Sequence, residues 1–120
     1  MTFKFENCYV KDTDVVVGIN EKRGPLGAYF KKSYDDFYFD AKTWEQAESK
    51  IAFETINNLM ERNKVDLLIG GDLLNQITAT SFAGSRTNLP FLGIYNACAT
   101  STEGIILAST LIQSKLASNI

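Results

Sequence analysis

NLPFLGIYNACATSTEGIILASTLI, residues 88–112, is the stretch on which the reading of the fold turns. The short apolar run at 91–95 reads as a strand buried on both faces. Asn96 and Ala97 make a sharp turn, Cys98 follows, and a helix that is apolar almost all round takes up the rest. Thr100 and Glu103 have the spacing of a capping box, in which the hydroxyl accepts from a first-turn amide and the glutamate reaches back to the cap. Cys98 then sits just outside a helix start. Unpaired N–H groups and the helix dipole there favour negative charge, whether a thiolate or a ligand carboxylate. Ile105, Ile106, Leu107, Ala108, Leu111 and Ile112 leave no broad polar face, so the helix is expected to be buried.

Working outward, 120 residues make one domain at most. A net charge of -2 argues against nucleic acid as a partner, and Lys31 with Lys32 is too little for a polybasic patch. No apolar run approaches the roughly 20 residues of a membrane span. The N-terminus carries charges where a signal peptide needs apolar residues. Cys8 and Cys98 belong to separate elements, and a reduced, cytosolic setting is the expectation. The chain has no histidine, which limits its acid–base chemistry more than any motif present.

Upstream, VVVG at 15–18 reads as a strand, with a hairpin turn at 11–14. EKRGPLG at 21–27 reads as a loop, and the aromatic and acidic stretch 28–40 as an ordered loop over another surface. Thr43 with Gln46 opens a helix whose apolar positions recur at three- and four-residue spacing to Met60, and Asn63 ends it. VDLLIG at 65–70 is a second buried strand, Gly70, Gly71 and Asp72 turn the chain, and 78–85 holds a further helix. Strands alternating with helices predict an α/β fold with a mostly parallel sheet covered on its faces. Ligands bind such sheets beyond the carboxyl ends of the strands. Residues 70–76 and 96–102 leave those ends, and they are expected to lie side by side.

GPLG (24–27), YDD (34–36), WEQAE (44–48), GDLLNQ (71–76), TA (78–79), PFLG (90–93) and ACAT (97–100) occur in this order. The pattern resembles the N-terminal half of the thiolase superfamily, where a nucleophilic cysteine stands at the turn between a strand and a buried helix. Within that superfamily it is similar to the stage V sporulation protein AD family of spore-forming bacteria, for which GDLLNQ followed by PFLGIYNACAT is specific. The resemblance implies a thiolase-like αβα half-domain, residues 1–120 being its incomplete N-terminal part, cut off after the buried third helix. It further implies a ligand-binding rather than enzymatic role, without a cofactor. The ligand would be dipicolinic acid (pyridine-2,6-dicarboxylate), or its calcium complex, taken up into the forespore. Implied partners are the other stage V sporulation channel proteins and a second copy in the full-length form. The implied location is the cytoplasmic side of the forespore inner membrane, held peripherally.

Each candidate residue carries two readings. Cys98 is a small inert core residue, or it occupies the thiolase nucleophile position. Thiolases take the histidines that activate their cysteine from the second half, so acyl transfer by this chain is the rival reading and no catalytic residue is assigned. Asp72 caps a turn or helix, or it faces the Cys98 turn. Beside a dianion it makes sense only protonated or bridged by calcium. Asn75, Gln76, Asn96, Thr100 and Ser101 serve turns and caps, or offer neutral hydrogen bonds to a carboxylate. Arg23 and Arg86 are solvated, or are counter-charges for a dicarboxylate. Asp35, Asp36 and Asp40 lack EF-hand spacing and are read as solvated, with no metal site assigned. Trp44 is read as packing at the helix end.

Overall fold

A computed structural model describes residues 2, 4–73 and 76–120. In chain order these form β1 (Val16–Val17), α1 (Ile19–Arg23), β2 (Lys32–Ser33), α2 (Trp44–Arg62), β3 (Leu68–Gly70), α3 (Thr78–Gly84), β4 (Phe91–Gly93) and α4 (Thr100–Gln113). Short 3-10 turns lie at Gly27–Tyr29 and Ala97–Ala99. The architecture is mixed α/β, as expected. Both strand pairs are parallel, β1 with β2 and β3 with β4, and they form two separate two-stranded sheets among the described residues.

The β3–β4 pair positions the site. Leu68 pairs with Phe91, Ile69 with Leu92 and Gly70 with Gly93. Alternation along the strands sends Leu68, Gly70 and Phe91 to one face, where a Cβ on Gly84 of α3 would stand 3.1 Å from the Phe91 ring. Ile69 and Ile94 go to the other face, against Gly104 of α4. The pair is thus covered by a helix on each side. Small residues let the layers close: Ala47 of α2 and Ala79 and Ala83 of α3, the last two one turn apart, are the most buried side chains among the described residues. The α2 start forms as its sequence predicts. Thr43 Oγ1 accepts from the Gln46 amide at 3.3 Å, and Gln46 Oε1 accepts from the Lys42 amide at 3.2 Å.

Four expectations are corrected. The hairpin at 11–14 does not form, because β1 takes its partner from β2 instead. Asp12 and Asp14 are drawn to the end of α2, where both accept from the Arg62 guanidinium at 3.0 Å. The stretch read as a loop at 21–27 is helical over its first residues, as α1, and the 28–40 stretch contributes β2. The capping box at Thr100 is absent: Thr100 is already inside α4, Ala99 is the cap, and no side chain caps this end. Finally, α4 is not buried. No residue of it is fully buried, and Ile105 is 68% exposed. Its apolar composition needs cover on every side, and among the described residues β3 and the N-terminal arm supply only part of it.

Candidate functional site

The β3 and β4 strands run parallel, so the chain leaves both at the same end of the sheet. The Gly70–Gly71–Asp72 bend and the turn through Cys98 therefore meet. Ile94 donates its amide to the Gly70 carbonyl at 3.0 Å, one step beyond the ladder. Gly71 presses so close to the Ile94 carbonyl that a Cβ would collide with it, and that Cβ would also lie 2.9 Å from Thr100 Cγ2. Glycine at this position is a condition of the two turns touching.

Between the turns opens a cleft of about 520 Å³, with Gly70, Asp72, Cys98, Thr100 and Ser101 on its wall and Ile69, Ile94 and Ala108 at its apolar floor. Asp72 is 8% exposed, and its Oδ2 accepts from both the amide and the hydroxyl of Thr80 at 2.8 Å. The carboxylate thereby satisfies a first-turn donor of α3 from eight residues upstream, which is helix capping across a turn. Its own amide donates to the Gln76 carbonyl at 2.9 Å.

The Cys98 turn is held by Thr100. Its hydroxyl accepts from the Asn96 amide at 2.9 Å and donates to the Ala97 carbonyl at 2.8 Å. This closed loop fixes Ala97 at a φ of 45°, left-handed backbone that is uncommon outside glycine. The turn presents Cys98 as an exposed free thiol. The amides of Ala97 and Cys98 open the 3-10 turn and meet no acceptor among the described residues. The amide-rich mouth expected before α4 exists, shifted into this preceding turn.

Of the residues singled out in the sequence, Asp72, Cys98, Thr100 and Ser101 share this cleft. Asn96 does not: it borders a smaller cleft, with Glu103. Asn75 lies outside the described residues. Arg23 is exposed on α1, and Arg86 borders a different groove between α2 and α3. Asp35 pairs with Lys22 at 2.7 Å, Asp36 accepts from the Tyr38 and Asp40 amides, and Asp40 faces Lys50 at 3.6 Å. Trp44 stacks on Tyr38 with ring centroids 4.3 Å apart. Cys8 is also a free thiol, donating to the Ser109 carbonyl at 3.5 Å.

Two participants escaped the sequence reading. Nothing in TATS distinguishes Thr80, which holds Asp72, from Thr78, since the contact spans a turn of unspecified shape. The like-charge neighbour of Asp72 was also missed. Glu48, on α2, is pushed above the ordinary glutamate range by burial, then by the charges of Asp72 and Glu45. One of its oxygens is buried with no hydrogen-bond partner among the described residues.

Comparison with known proteins bears on the family. The family model for stage V sporulation protein AD (SpoVAD) matches residues 1–120. The chain is 36% identical over 117 residues, 92% of its length, to the curated stage V sporulation protein AD of Bacillus subtilis (strain 168). That match takes in 35% of the relative, so the chain spans about a third of the length of the protein it resembles. No helix among the described residues is long and apolar enough to cross a membrane. On a family match over every residue and this degree of identity, the chain belongs to the stage V sporulation protein AD family, which is named for sporulation.

Proposed function

We propose that the Cys98 cleft binds dipicolinic acid as its calcium complex, and that this binding serves uptake of the complex into the forespore. The observation that carries the reading is the cleft's charge: among the described residues its lining holds one side-chain carboxylate, Asp72, and no lysine or arginine. A free dicarboxylate would be repelled there, increasingly so as water is excluded. The calcium complex is neutral overall and presents a hard cation that takes further oxygen ligands. The Asp72 carboxylate and the Ser101 hydroxyl are oxygens of that kind. The apolar floor of Ile69, Ile94 and Ala108 suits the pyridine ring. The open amides of Ala97 and Cys98 suit a carboxylate oxygen pointing away from the metal.

Calcium enters this scheme as cargo. Among the described residues no group of three or more metal-binding side chains is assembled, so the ion would arrive on its ligand. The residues present support binding rather than turnover. Cys98 has no histidine to activate it anywhere in the chain, and an acyl-transferring thiol needs such a base. In this reading the protein acts at the cytoplasmic face of the forespore inner membrane, beside other stage V channel proteins.

Calorimetric titration of this chain with calcium dipicolinate tests the reading. Asp72→Asn removes the anionic oxygen while leaving an acceptor for Thr80, and Cys98→Ala alters the wall without charge. Weaker binding in the Asp72 variant, and no binding of dipicolinate in calcium-free buffer at this cleft, are expected. Wild-type affinity in both variants would remove the cleft from the site.

A further inference from the structure

Thr80 stands behind the Cys98 cleft without lining it, and both branches of its side chain reach the cleft wall. It is 7% exposed. Its hydroxyl donates to Asp72 Oδ2 at 2.8 Å, and its amide donates to the same oxygen at the same distance. Its methyl lies behind Gly70, where an added Cβ would come within 2.7 Å of Thr80 Cγ2. The helix that carries it is firmly seated, since its neighbours on α3, Ala79 and Ala83, are fully enclosed. The amide alone would hold the carboxylate in place. The hydroxyl adds a second donor on the same oxygen and so limits how the carboxylate can turn.

We infer that Thr80 is the positioning residue of the cleft: without touching a ligand, its hydroxyl holds the Asp72 carboxylate in the orientation that meets the cation. The inference rests on the reading of the Cys98 cleft given above and adds a determinant of affinity to it. Carboxylates that ligate a metal are themselves held by hydrogen bonds, and loss of such a bond typically weakens metal binding by about ten- to a hundredfold. The two branches of Thr80 divide the work. The methyl packs on Gly70 and belongs to the fold, whereas the hydroxyl serves binding. Valine keeps the first and serine the second, so the two contributions are separable.

The test is calorimetric titration with calcium dipicolinate. Thr80→Val should weaken binding about tenfold. Thr80→Ser gives up the methyl and keeps the hydroxyl, so its affinity should stay within about threefold of wild type even where its melting temperature falls. Thr78→Val, on the wall of the α2–α3 groove, should leave the affinity unchanged. The decisive measurement is the double variant. On an Asp72→Asn background, Thr80→Val should change affinity by less than about twofold, because the anionic oxygen it orients has gone. A merely structural role would give the same loss on both backgrounds. Undiminished affinity in Thr80→Val alongside weakened binding in Asp72→Asn would overturn the inference and leave the reading of the cleft standing. A full loss on the Asp72→Asn background, or serine binding as poorly as valine, would overturn it as well. Equal affinity of wild type and Asp72→Asn would instead overturn the reading of the cleft, and the inference with it.

Discussion

The Cys98 cleft and the α2–α3 groove are built by opposite means. The first is made by backbone: two turns leave parallel strands, touch through Gly71 and the Ile94 carbonyl, and are locked by Thr80 on Asp72 and by Thr100 on Asn96 and Ala97. The second is made by side chains that lie across a helix seam closed by alanines. A site of the first kind is rigid and intolerant, because any added atom meets a carbonyl. A site of the second kind is held weakly and can lose a wall without losing the fold. The charges differ too: among the described residues the first is lined by Asp72 with no lysine or arginine, whereas the second mixes Asp40, Glu45 and Glu54 with Lys50 and Arg86.

The sharpest break of this contrast is Gly71→Ala. The new methyl collides with backbone that cannot yield, and we expect a cost of roughly 3 kcal/mol in urea unfolding, at the top of the range for overpacking. The matching change in the other groove, Ser49→Ala, should stay within about 0.5 kcal/mol. Equal costs would end the distinction between the two. Next comes Asp72→Ala, which strands the Thr80 amide in a buried setting and should cost about 2 kcal/mol, whereas Asp72→Asn keeps an acceptor and should cost less. Arg86→Ala removes only an exposed cation stacked on Phe53, and about 0.5 kcal/mol is expected from thermal melting.

Smaller effects appear with pH. Glu48 lies on α2 beside Asp72, and its carboxyl is raised on folding. The native chain therefore holds this proton more tightly than the unfolded chain. Stability should decline as pH rises from the ordinary value of 4.5 through the raised one, and Glu48→Gln should flatten that decline in melting curves. Asp12, which lines neither the cleft nor the groove, behaves in the reverse sense. Hydrogen bonds from Arg62 and Asn63 hold it at about 2 against an ordinary 3.8, so its contribution is complete above that ordinary value and is lost as pH falls through about 2. Arg62→Ala should return the Asp12 titration toward 3.8, read by NMR, without touching either of them.

What could be read in the residues follows from how far the deciding contacts reach. The apolar spacing of α2, the apolar runs of β3 and β4, and the Gly-Asp bend were all legible, because each is dictated by neighbours a few positions away. Their parallel pairing was legible from the alternation of strand and helix. Placing Asp72 and Cys98 together then required only that two parallel strands end at the same edge. The start of α4 misled for a local reason: a hydroxyl three residues before a glutamate has the pattern of a cap, yet Thr100 found nearer partners in Asn96 and Ala97 and drew the turn tighter.

The sequence by itself determined the identity and order of the principal elements, the family, and the meeting of the Gly-Asp bend with the cysteine turn. Local hydrophobic spacing and turn chemistry suffice for these. Only the tertiary structure decided that β2 rather than a hairpin pairs with β1, that Thr80 anchors Asp72, that Asn96 lines a different cleft, and that Arg86 stacks on Phe53 in the groove between α2 and α3. Each of these depends on side chains brought together from separate elements, and no periodicity along the chain encodes which of several chemically equivalent residues will arrive there.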